Sequence, residues 1–263
     1  TDSARGGVKR SEMFLGGLET RVRRISLPRE LSLFPRDAEG DQVHHFDEDT
    51  RVTFYPDGTF GRQPLESVEP ETIVSIGKRS AYLIAGPKVA LHVKGIVNGA
   101  VLVYSPTNIV IENDIVYAAD PEVDPESDDY LGLVSGRFVR IANAQTTGEG
   151  DLVIHASIYA RRRFSVGRFR SRNDGALVIY GSLTAGSISA TEPRYRTKIL
   201  FDPRLEEVRV PSFPMTDRYE TLAWDNTWAM PEGSGIRAYT GPPQQPQREV
   251  STSAQDGISI SGD

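Results

Sequence analysis

The chain reads as all-β: an irregular single-stranded β-helix, or β-solenoid, with an N-terminal hairpin region and an extended C-terminal arm. Two observations predict it. Four ten-residue stretches, 90–99 (ALHVKGIVNG), 108–117 (NIVIENDIVY), 151–160 (DLVIHASIYA) and 176–185 (ALVIYGSLTA), align without a gap. Their alternate positions form columns, first Leu91, Ile109, Leu152 and Leu177, then Val93, Ile111, Ile154 and Ile179. Period-two alternation marks a strand with one buried face, and a recurring register marks layers that bury this face against one another. The second observation is a narrow middle column, Gly95, Asn113, Ala156 and Gly181. Small residues or Asn at one place in every layer predict a shared inward bend. Beyond it the columns continue as Val97, Ile115, Ile158 and Leu183, then Gly99, Tyr117, Ala160 and Ala185.

The elements follow in order. Residues 1–89 form an N-terminal β region expected to cap the coil. Within it, 21–33 (RVRRISLPRELSL) alternates around Val22 and Ile25 until a proline stops it, and a helical turn fits 29–34. RVTFYPDGTFG (51–61) predicts a hairpin, because Asp57-Gly58 supplies the left-handed conformations of a tight turn. Residues 72–84 (TIVSIGKRSAYLI) then lead into the coil core, 90–190. Its layers start 18, 43 and 25 residues apart, and the long gap holds another strand pair, LGLVSGRFVRIAN (131–143). Such spacing fits an irregular β-helix with loops at its corners better than a strict repeat. A C-terminal cap, 191–230, carries a strand and a turn at Asp202-Pro203. Last comes an arm, 231–263, rich in Pro, Gly, Gln and Ser. Unrelated sequence on both sides of the core predicts that both coil ends are capped, which argues against an end-to-end polymer.

Composition narrows the function classes. Hydrophobic residues make up 38% and charged residues 25%, as in an ordinary globular chain. Thirty basic against 36 acidic residues argue against general nucleic-acid binding. No apolar run reaches the roughly 18 residues a membrane-crossing helix needs, so no transmembrane segment is expected. Without cysteine there is no disulfide scaffold and no thiolate chemistry, which suits an envelope or secreted protein. The chain opens Thr1-Asp2-Ser3 without an initiator Met, which predicts a processed chain or a fragment.

The most conspicuous chemistry is electrostatic. DPEVDPESDD (120–129) carries six acids, and RRRFSVGRFRSR (161–172) carries six arginines, Arg161, Arg162, Arg163, Arg168, Arg170 and Arg172. Each segment follows an aligned stretch, so stacking predicts that both leave one corner, roughly 5–10 Å apart. They then pair with each other as a solvated cluster, or dock a neighbour of opposite charge. A third reading places calcium at Asp120, Asp124 and Asp128, since hard cations take clustered carboxylates, although no EF-hand spacing is present. No other cofactor is expected. His92, His155 and Tyr180 fall on outward positions, and His44-His45 on an extended strand point opposite ways, which disfavours one shared metal. Asn113 is the one polar residue of the inward columns and is expected to bond the backbone at the bend. Phosphate-loop, dinucleotide and nucleophile-elbow motifs are absent, and no catalytic residue is assigned.

Several blocks, in order, carry a family likeness: GGLETRVRRISLP, VTFYPDGTF, IVIENDIVYAADPEVDPESDDYLGLVSG, DLVIHASIYA, ALVIYGSL and KILFDPRL. Across about residues 16–215 the chain resembles an uncharacterised family of bacterial envelope domains, often found behind a pilin-like N-terminal membrane segment. The resemblance implies a periplasmic or cell-surface β-solenoid linked to pilus-type assembly, with no known reaction. The leading expectation is therefore a non-catalytic structural or docking subunit with protein partners. The alternative is a calcium-dependent carbohydrate-binding or polysaccharide-cleaving β-helix, which requires a groove lined by aromatic residues.

Overall fold

In the computed structural model the described residues are 42–77, 80–168, 170, 175–207 and 213–214. The readings at 21–33, at Arg172 and along the 231–263 arm lie outside them. The described chain is all-β, with fourteen strands in one continuous sheet. In chain order they are β1 (Val43–Phe46), β2 (Thr50–Tyr55), β3 (Thr59–Pro64), β4 (Thr72–Ser75), β5 (Ala81–Ala85), β6 (Leu91–Val97) and β7 (Ala100–Ser105). There follow β8 (Asn108–Tyr117), β9 (Tyr130–Ser135), β10 (Phe138–Ile141), β11 (Leu152–Ala160), β12 (Arg163–Val166), β13 (Gly175–Ala185) and β14 (Tyr195–Phe201). One helical turn, α1 (Ala144–Thr147), interrupts them.

The hairpin forms where the turn chemistry places it. β2 and β3 pair antiparallel with Phe54 opposite Phe60, and Gly58 takes the positive φ of 78° that the turn requires. Asp57 Oδ1 accepts the Thr59 amide at 3.1 Å and fixes the turn. β4 adds a third antiparallel strand on β3.

Every other pairing is parallel. One ladder runs β2–β6–β8–β10–β12, and another runs β1–β5–β7–β9 and onto the second half of β11. A third joins β11 to β13 and β13 to β14. Long strands pass between ladders: β11 gives Ile154 to β8 and residues 157–160 to β9. β9 and β10, expected as one strand pair, pair with different neighbours instead.

The aligned columns hold in part. β11 and β13 meet in the expected register along nine residues, from Leu152 opposite Leu177 to Ala160 opposite Ala185. β6 and β8 start in register, Leu91 on Ile109 and Val93 on Ile111, then slip by two so that Gly95 faces Ile115. Leu91, Ile109, Leu152 and Leu177 share one core and are at most 1% exposed. They form two pairs rather than one column, because Val139 of β10 takes the place beside Ile109.

The bend is real where glycine stands. Gly95 has φ 112° and Gly181 φ 138°, and a Cβ would meet Phe54 O or Ala156 O at 2.2 Å. Both approaches are closed to any other residue. Asn113 does not share this role: it is exposed in the slip of β8, with its side chain accepting the Asp114 amide at 2.9 Å.

Two features were not anticipated. β5 and β9 are buried on both faces. The second face belongs to a separate apolar cluster of Tyr82, Ile84, Leu102, Val134 and Tyr159, with Phe213 packed against it. The other feature lies on β14, the last described strand. On β14, Ile199 continues the column of Ile179 yet is 48% exposed, and Phe201 is 54% exposed.

Candidate functional site

The arginine segment forms a fixed corner. After β11 the chain turns at Arg161 and Arg162, whose amides donate to Ser135 O at 3.0 Å and Arg137 O at 2.9 Å. The Arg163 amide also bonds Arg137 O at 3.1 Å. Arg137, Arg161, Arg162 and Arg163 are all exposed, on a backbone held by the ladder. Arg163 Nε donates to Ser187 Oγ at 3.1 Å. Arg168 and Arg170 follow β12 and are exposed.

The acidic segment is not beside it. Residues 120–129 lead into the start of β9, whereas Arg161 bonds its last residue, Ser135. Six strand residues at about 3.3 Å each separate the two by roughly 20 Å. The expected closeness fails because Tyr117 and Ala160, which share no column, end at different places along the ladders. Asp120, Glu122, Asp124, Glu126 and Asp128 are exposed, while Asp129 is buried. Asp129 accepts the Gly99 amide at 2.6 Å and the Ala119 amide at 2.9 Å, which closes the loop at its base. Asp120 Oδ1 accepts the Glu122 amide at 3.0 Å. Among the described residues no group of three or more His, Asp or Glu gathers to hold a metal, Asp120, Asp124 and Asp128 included.

Arg204 ties the segment down from above. It sits in the helical turn Pro203–Glu206, whose first amide Asp202 caps. Its guanidinium lies 4.6 Å from the Tyr130 ring centroid and 5.3 Å from that of Tyr117. It pairs with Asp202 at 2.8 Å and donates to Ser127 O at 2.8 Å. Tyr117 in turn accepts the Leu131 amide, and burial pushes its phenol well above the ordinary range. His155 stands between the Tyr117 and Tyr180 rings at 5.2 and 5.4 Å, where burial lowers its pKa.

The residue that sequence reading overlooked is Glu112. Two residues beyond Val110, which lies opposite His92, its side chain reaches Arg51 of β2 and His92 of β6 at 2.6 and 2.8 Å. Burial alone would raise its pKa. The hydrogen bonds from His92 and Arg51 outweigh that and hold it at about 2. No local pattern marks Glu112 as paired, since its partners lie 61 and 20 residues away in the chain. The remaining histidines are placed as alternation demands, with His45 exposed and His44 edge-on to Phe60 at 5.1 Å.

A polar cleft opens beside the hairpin turn, bordered by Asp57, Ser75, Ser80, Asn98 and Asp128. Its described lining contains no aromatic side chain, unlike the groove a carbohydrate reader requires. Among the described residues no helix is long and apolar enough to cross a membrane. Compared with protein-family models, curated proteins and solved structures, the chain matches none.

Proposed function

We propose that the chain is a β-solenoid acting as a non-catalytic docking subunit of a bacterial cell-envelope assembly, at the periplasmic or outer surface. The order in which successive strands visit the parallel ladders supports the solenoid reading. The observation that carries the docking reading is the arginine corner. Arg137, Arg161, Arg162 and Arg163 are presented on backbone already fixed by hydrogen bonds, so a partner gains their charge without ordering a loop. Such a surface fits an acidic protein face. The absence of an assigned reaction is supported by the use of the ionisable groups elsewhere: Glu112 with Arg51 and His92, Asp202 with Arg204, Asp129 on two amides. The envelope placement rests on the family resemblance.

A photo-crosslinking residue at Arg162, in the full chain and in envelope fractions, tests this. The expected result is one protein captured at low salt, released at high salt, and lost when Arg161→Glu is combined with Arg137→Glu. Capture that ignores both salt and charge reversal overturns the reading.

A further inference from the structure

Among the described residues the sheet ends at β1, β4 and β14, each of which pairs with a single strand. Its hydrogen-bonded path runs β4–β3–β2–β6–β8–β11–β13–β14, and among the described residues β4 pairs only with β3 and β14 only with β13. Unpaired strand edges are templates for another chain unless they are charged, bent or covered. β4 is four residues long and β14 carries Arg196 and Lys198, yet both strands also expose apolar side chains. On β14, Ile199 (48%) and Phe201 (54%) expose apolar surface on the side that is interior in β13. At the other end Ile73 of β4 is 54% exposed and Val68, just before it, is fully exposed.

From these ends we infer that the chain binds a second copy of itself head to tail, β14 of one molecule lying along β4 of the next. Three observations select this occupant. The charges are opposite: β14 exposes Arg196 and Lys198, whereas the approach to β4 exposes Glu66 and Glu69. The directions agree. β4 is antiparallel to β3 and β3 to β2, so β4 runs parallel to β2, β6 and the ladder that ends in β14. A translated copy therefore presents β4 parallel to β14, the sense of the other pairings in that ladder. A symmetric β14-to-β14 contact would instead set two rows of Arg196 and Lys198 against each other. Heterologous contacts of this kind do not close on themselves and so extend into a row.

This inference deepens the docking reading and rests on it for the claim that the chain is an assembly subunit. The test uses the full chain in sedimentation velocity over a hundredfold range of concentration. Its average mass should rise with concentration, and less so at high salt. Ile199→Asp with Phe201→Asp should abolish the rise by setting acid against Glu66 and Glu69. Val68→Lys with Ile73→Lys should abolish it from the other side. Mixed one to one, the two blocked variants should form a dimer and nothing larger, since each retains one working end. Arg196→Glu with Lys198→Glu, which keeps the apolar residues, should weaken association at least tenfold. Far-UV circular dichroism verifies that each variant is folded, as expected for changes at exposed positions. A wild type that stays at one chain's mass overturns the inference, as does a mixture that stays apart. If the monomeric wild type is still captured through Arg162 in a charge-dependent way, the docking reading stands and only self-association falls.

Discussion

Glu112 shows how much one side chain can hold. Its carboxylate is 7% exposed and joins Arg51 of β2 to His92 of β6, so three strands of one ladder share a charge cluster. A folded-state pKa of about 2, against 4.5 for an ordinary Glu, means the folded form favours the ionised state. The stability this brings is complete above about pH 4.5 and is lost as pH falls through 2, because the unfolded chain takes up the proton first. A shift of that size corresponds to about 3 kcal/mol. Glu112→Gln should therefore cost about 3 kcal/mol at neutral pH and flatten the fall in stability between pH 4.5 and 2. Urea titrations of both proteins at pH 7, 4 and 2.5 measure it, and parallel pH slopes would count against the cluster. Sequence reading singled out Asn113 instead, one residue away. A column drawn by regular alternation has no means of registering the shift in β8, where Asn113 is exposed and Glu112 buried.

Among the elements, the segment from Ala118 to Asp129 has little regular structure, yet both its faces are restrained. Asp129 pins it to Gly99 and Ala119 below, and Arg204 covers it by bonding Ser127 O and stacking on Tyr130 and Tyr117. The guanidinium is 7% exposed, so its cation–π and charge-assisted bonds act with little competition from water. Arg204→Ala should lower stability by about 2 kcal/mol and expose 120–128 to proteolysis. Arg204→Lys should rescue little of this, since an ammonium does not stack flat on a ring while forking to Asp202 and Ser127. Limited proteolysis with mass spectrometry measures the effect, and an unchanged cleavage pattern in Arg204→Ala would refute the clamp. The acidic run itself was plain in the sequence. Its keeper was not, because Arg204 lies 77 residues from Ser127 and reaches it only through β14.

On the scale of the whole described chain, each strand bonds chiefly to the strands beside it in the ladders. In a β-solenoid, the reading proposed above, stability is close to a sum of neighbour terms. Phe60, buried in the hairpin, and Tyr195, buried at the start of β14, stand at opposite ends of the sheet path. Phe60→Ala and Tyr195→Ala should each cost on the order of 3 kcal/mol, and the double variant should match their sum within about 0.5 kcal/mol. Chemical denaturation of the three proteins checks this. A coupling well above that figure would show the two ends communicating through more than a chain of neighbours.

The sequence alone determined the β character, the hairpin at Asp57-Gly58, the β11–β13 register and the bend at Gly95 and Gly181. Each of these follows from alternation, turn chemistry or the lack of a Cβ within a few neighbouring residues. Tertiary structure decided the rest. Which layer lies beside β8, what Glu112 meets and how far the arginines stand from the acids all depend on register between strands far apart in the chain. A two-residue slip leaves local alternation almost intact while it changes which side chains meet, so only the assembled ladders could settle those contacts.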